Sequence, residues 1–223
     1  MELYAKFEKG LHQHVYVYKK LGNKYIPQIR LSREFDRYYL TSYKSKPLLD
    51  KKGLVKFNLP RPDEFIKEVK KYDDKHKELF MYLHKLTGFK QGTWNDVRKC
   101  DYVILYQFSD YVGLKECFTI FNLVDNSTFK IKGYFYDNKL CGYHINACNP
   151  PEREFKDTKY KYLEISKETY CNIIDGLNIE NYWFLVHTFV HIASYEFDMK
   201  SIHHWLPEIP SYNKSLLEIK NWR

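Results

Sequence analysis

The chain has 223 residues, 44% of them hydrophobic, which is enough for a packed core and argues against wholesale disorder. Its 36 basic and 28 acidic residues leave a formal charge of +8, but the lysines are mixed with Asp and Glu, as in KKYDDKHKE (70–78), which describes a solvated surface better than a nucleic-acid stripe. No run of about 18 apolar residues lacks charge or His, and MELYAKFEKG lacks the layout of a signal peptide, so a soluble protein with no membrane partner, kept in the cell that made it, is expected.

In chain order, residues 1–10 form a short N-terminal segment, a candidate arm. VYVYKKLGNKYIPQIRL (15–31) has two alternating runs around Gly22-Asn23, the signature of a β-hairpin. LPRPDEFIKEVKKYDDKHKELFMYLHKLTG (59–88) predicts a helix near 62–87. Pro62 suits its first turn, Asp63 and Glu64 suit the positive end of its dipole, and Gly88 marks a stop. Phe65, Val69, Tyr72, Leu79, Leu83 and Leu86 supply its apolar stripe, with a break expected near Asp73-Asp74.

Four strand-like runs follow: DYVILYQFSDY (101–111), CFTIFNLV (117–124), TFKIKGYFY (128–136) and LCGYHINA (140–147). Short links at Asp125-Asn126-Ser127 and Asp137-Asn138-Lys139 join the last three as hairpins. KYKYLEI (159–165) is a further strand after the Pro150-Pro151 break. Ser166 with Glu168 opens a short helix, a second covers 179–197, and a short one follows Pro210. Residues 11–165 are thus mainly strands and 166–223 mainly helical. The pattern predicts a single α+β domain over 1–223, with an antiparallel β-sandwich core and several flanking α-helices.

Five cysteines, Cys100, Cys117, Cys141, Cys148 and Cys171, are odd in number and form no CxxC pair, which points to reduced thiols. Tyrosine is abundant, with 21 residues. An AT-rich coding sequence explains that bias as well as function does. Either way, a phenol buries a large ring while keeping a hydroxyl that needs a partner, so it suits contacts that are half apolar and half wet.

The chemistry of catalysis is thin. No phosphate loop, dinucleotide-binding glycine turn, nucleophile elbow or deaminase zinc pattern occurs. His187 and His191 stand four apart on an apolar helix, the spacing of a zinc hydrolase, but Thr188 occupies the place of the general base. Glu196, His203 and His204 are the further ligands such a site would need. Trp183, Phe184, Val186, Phe189 and Val190 surround the pair, which favours a packing helix with Trp183, Phe184, Val190 and Ile192 buried and hydrogen-bonded histidines over a metal site. Asp96, Glu116 and Asp175 read as surface or capping carboxylates, and His12 and His14 share one side of a strand. The chain is read as a non-enzyme with no metal and no required cofactor.

At YFYDNKLCGYHI (134–145) the sequence resembles the cypovirus polyhedrins, which crystallise inside infected insect cells and embed virions. Gly142-Tyr143-His144 on a strand after a polar turn, followed by NPPEREF (149–155), carry the likeness. The aromatic strand VYVY, the run DYVILYQF, and NYW (181–183) ahead of an apolar, His-containing helix extend it. The N-terminal segment is shorter than the arm-like helix of that family, which leaves lattice contacts open. The resemblance implies a structural self-assembly protein, a trimer built into a crystal lattice, with virus particles as partners and nucleotides bound in the lattice. It implies occlusion bodies in the host-cell cytoplasm that dissolve at alkaline pH, where phenols and lysines lose their protons. Two other readings stand beside it: a viral or microbial nucleic-acid-binding accessory protein, and a His-dependent zinc enzyme centred on His187 and His191.

Overall fold

The computed structural model describes residues 1–9, 12–34, 37–109, 114–136, 139–147 and 159–197. It is an α+β fold with two wholly antiparallel sheets and helices alongside them. The chain, read from sequence as one domain, divides into two compact units, one of residues 1–74 with 178–223 and the other of residues 75–177.

In the first unit, strands β1 (Leu3–Glu8), β2 (His12–Leu21), β3 (Lys24–Glu34), β4 (Arg37–Ser42) and β5 (Val55–Phe57) form a sheet in the order β4-β3-β2-β1-β5. The expected hairpin is β2–β3, and Gly22 takes a positive φ of 57° at its turn, a conformation glycine adopts without a Cβ penalty. β1 lies inside the segment read as an arm; it is paired on both sides, with β2 and with β5. Period-two alternation then divides the side chains. Leu3, Ala5, Val15, Val17, Ile29, Leu31, Tyr38, Leu40 and Phe57 face a core completed by Phe65, Ile66, Val69 and Tyr72 of helix α1 (Pro62–His84) and by Tyr182, Leu185, Val186, Phe189, Val190 and Ala193 of helix α4 (Ile179–Phe197).

Helix α1 runs continuously through Asp73-Asp74, where its apolar stripe was read as broken, and the boundary between the units falls at that point. Asp73 tolerates burial because it accepts a hydrogen bond from the Ser42 hydroxyl. The buried stripe also differs from the sequence expectation. Ile66, His76 and Phe80 are buried, whereas Leu79 and Leu86 are only half-buried.

The second unit holds β6 (Lys90–Gly92), β7 (Tyr102–Ser109), β8 (Leu114–Asn122), β9 (Ser127–Tyr136), β10 (Lys139–Ala147) and β11 (Tyr160–Glu164), in the order β10-β9-β8-β7-β11-β6. The four expected middle strands and their hairpins are β7 to β10, with a register shift in β10 between Leu140 and Gly142. On one face Val103, Leu105 and Phe121 cluster with Val97 of the short helix α2 (Trp94–Val97). On the other, Phe80 of α1 packs edge-on against Phe118 with ring centroids 5.7 Å apart. Helix α3 (Lys167–Leu177) begins after Ser166, whose hydroxyl accepts from the Thr169 N–H at 3.1 Å as an N-cap does. Its last carbonyl, that of Leu177, accepts from Nε2 of the buried His76 at 2.7 Å. NPPEREF and the segment after Pro210 lie outside the described residues.

Candidate functional site

The alternation that sends odd-numbered residues of β1 and β2 into the core places Tyr4, Tyr16 and Tyr18 on the opposite face. There they meet Tyr25, Tyr43, Leu48 and Leu54, supplied by β3 and by the segment after β4. Backbone hydrogen bonds between Tyr25 and Leu48, 2.8 and 3.0 Å, hold that segment in place. The rings meet in two groups. Tyr4 and Tyr25 are edge-on at 5.1 Å, Tyr16 and Tyr43 lie 4.8 Å apart, and Tyr18 and Tyr43 are edge-on at 6.2 Å. Such offset and edge geometries suit the ring quadrupole.

Polar groups are threaded through this face. Tyr4 donates to Glu2 at 2.6 Å, and Lys6 donates to Glu8 at 2.6 Å. Nδ1 of His14 is 3.0 Å from the buried Ser32 hydroxyl, and its ring lies 5.7 Å from that of Tyr16. Partnered in this way, the ionisable groups shift. The hydrogen bond to Glu2 pushes the Tyr4 phenol up to about 12. Burial raises Tyr16, with Glu8 adding to it, and burial raises Tyr18 well above the ordinary phenol range. The Lys6 hydrogen bond holds Glu8 below the usual carboxylate range. Tyr16, Tyr43 and His14 are half-buried, so this face has both the apolar area and the fixed polar groups of a contact surface.

The structure also shows which tyrosines are internal. Tyr4, Tyr18, Tyr25, Tyr38, Tyr39, Tyr72, Tyr170 and Tyr182 are buried within the chain, and Tyr82 and Tyr195 are exposed. These eight phenols therefore serve the fold itself.

The histidine helix resolves differently from its sequence reading. Trp183, Phe184 and Ile192 are half-buried at the margin of the core, and the fully enclosed positions are instead Tyr182, Leu185, Val186, Phe189 and Ala193, together with Val190 as expected. The reason is the helix phase: the stripe facing the sheet follows 182, 185, 186, 189, 190 and 193, which rotates 183 and 184 to its flank. His187 is half-buried with its ring 6.4 Å from that of Trp183, and His191 is exposed. Among the described residues no group of three or more His, Cys, Asp or Glu side chains stands close enough to hold a metal ion; His203 and His204 lie outside them. No helix of the described residues is long and apolar enough to cross a membrane. Cys100, Cys117 and Cys171 are free thiols, the first two buried.

Of the single carboxylates, Asp96 caps α2 by accepting from the Thr93 N–H and hydroxyl, both at 2.9 Å, and Asp175 is exposed. Glu116 has partners that its sequence neighbours do not reveal: His84 Nδ1 at 2.6 Å and the Tyr106 hydroxyl at 3.2 Å. The tyrosine cluster was legible only in part. The spacing of Tyr16 and Tyr18 put them on one face, but nothing local tied them to Tyr4, Tyr25 or Tyr43.

Comparison of the chain with protein-family models, with curated proteins and with solved structures gives no match.

Proposed function

We propose that this chain is a structural self-assembly protein of the polyhedrin type, forming an intracellular crystalline matrix that embeds virions and dissolves at alkaline pH. The observation that carries the reading is the tyrosine cluster on the outer side of the first sheet, where Tyr16 and Tyr43 remain half-buried and neighbouring charged groups are held by short hydrogen bonds. Aromatic side chains of this kind give large contact area at low entropic cost. The resemblance at 134–145 is the second support. A second copy of the chain is the partner this reading requires.

The phenols on this face set the chemistry of release. A deprotonated phenol confined in a contact is a poorly solvated anion, and neighbouring anions repel. Because Tyr4 and Tyr16 ionise above the ordinary phenol value, dissolution is expected above about pH 10.

Expression in insect cells tests the proposal. Refractile intracellular crystals that persist in neutral buffer and dissolve across that alkaline range are expected. A chain that stays soluble and monomeric at high concentration would overturn it.

A further inference from the structure

A groove of about 240 Å³ opens in the first unit between the sheet and the start of α1, lined by Met1, Lys19, Gln28, Asp63, Ile66, Lys67 and Lys70. Its construction begins at Pro27. Proline has no N–H to give a strand ladder, and opposite it the β2–β3 register shifts, so that Val17 pairs with Ile29 and Tyr18 with Pro27. Gln28 is the extra residue of this bulge. Bulges re-aim side chains, and here the Gln28 amide accepts from the Lys70 ammonium at 2.8 Å while donating to the Ile26 carbonyl at 3.2 Å. The Lys70 amine is thereby held in place on the groove wall rather than sweeping through solvent.

The charge around it is one-sided. Partial burial holds the Lys70 amine below the ordinary lysine range, and Lys19 and Lys44 add to this as like charges. Lys19, Lys67 and Lys70 line the groove against a single carboxylate, Asp63. Among the described residues none of Lys19, Lys44, Lys67 or Lys70 has a carboxylate within 4 Å. A groove lined by three lysines, one of them positioned by a side-chain amide, raises the local concentration of a small anion.

We infer that this groove binds a phosphate-class oxyanion, with Lys70, Lys67 and Lys19 as its donors and Gln28 as the group that positions Lys70. The shared chemistry is that of free phosphate and of a phosphate monoester on a larger molecule. The inference stands on the groove alone and is independent of self-assembly.

Thermal unfolding of the full chain at constant ionic strength, with chloride exchanged for inorganic phosphate or for phenyl phosphate, tests it. Wild type is compared with Lys70→Gln, Lys67→Gln and Lys71→Gln; Lys67 is exposed and its replacement spares the core, and Lys71 pairs with Glu68 away from the groove. Phosphate is expected to raise the melting temperature of wild type and Lys71→Gln alike, with the apparent Kd weakened about tenfold in Lys70→Gln and Lys67→Gln. A response to inorganic phosphate alone assigns a free anion, and a response to both assigns a groove that also admits the ester. No rise in wild type, or an equal rise in all four proteins, would overturn the inference.

Discussion

The Tyr182 hydroxyl of α4 closes the open side of β4 at a single residue: it donates to the Leu40 carbonyl at 3.1 Å and accepts from the Leu40 N–H at 3.2 Å. β4 is the edge strand of the first sheet, and such an edge leaves backbone groups unpaired and ready to template another chain. One phenol thus satisfies both groups in a buried setting, and its burial raises its own pKa far above the ordinary range. Replacing Tyr182 with Phe keeps the ring and removes both bonds. A loss of about 1–3 kcal/mol is expected, since a buried N–H and C=O are left without this partner. Urea unfolding of the variant measures it, and a loss under about 0.5 kcal/mol would show that water replaces the hydroxyl freely.

Gly133 of β9 exists to admit a ring. A Cβ built there would lie 2.0 Å from Cζ of Phe80, a distance no methyl group tolerates. Gly133→Ala should therefore destabilise by about 1–3 kcal/mol through overpacking, and Phe80→Ala by about 3–5 kcal/mol through the cavity it leaves. The two errors compensate, so the double variant should be more stable than the sum by at least about 1 kcal/mol. A double-mutant cycle reads this coupling directly. Additive costs would mean the ring and strand are not in contact.

Phe189 and Trp183 lie on the same helix but should differ in cost. Phe189 is fully buried, its ring 5.5 Å from that of Phe57 and 6.0 Å from that of Phe65. Its replacement by Ala is expected to cost about 3–5 kcal/mol. Trp183 is half-buried beside Tyr182, and its truncation should cost only about 1–2 kcal/mol despite the larger ring. Equilibrium denaturation of both variants checks the order; a reversal would place the wrong face of α4 against the sheet.

The Tyr4–Glu2 bond gives stability a defined alkaline limit. The folded chain raises Tyr4 from its ordinary 10.0 to about 12, so the neutral phenol is the form the fold prefers. Its contribution is complete below the unfolded value of 10 and is lost as pH rises through the folded value. Tyr4→Phe should accordingly be less stable than wild type near pH 8, with the gap narrowing as pH climbs above 10. Urea midpoints of the two proteins between about pH 8 and 11.5 follow the gap. A gap that stays constant over this range would refute the assignment to this phenol.

The hairpins and helices were readable because their signals are local. Gly22-Asn23 between alternating runs, Pro62 with Asp63 and Glu64 ahead of an apolar stripe, and Ser166 ahead of α3 each act within a few residues of themselves. β1 and β4 escaped notice because LYAKFE and RYYLTS have no turn signal that marks them off, and β5 and β6 are three residues each. Periodicity likewise put His187 and His191 on one face of α4, but whether a third ligand meets them depends on where other elements run. Along the chain itself, then, residue order determined where the long helices run, the two faces of each strand and the presence of a phenol-rich side. Tertiary structure alone decided that Tyr182 would reach Leu40 across 142 positions, that Gly133 would lie under Phe80, and that a bulge at Gln28 would hold Lys70 in a basic groove. The physical reason is that side-chain direction repeats every two or 3.6 residues and is written locally, whereas long-range pairing is selected by which distant surfaces bury together.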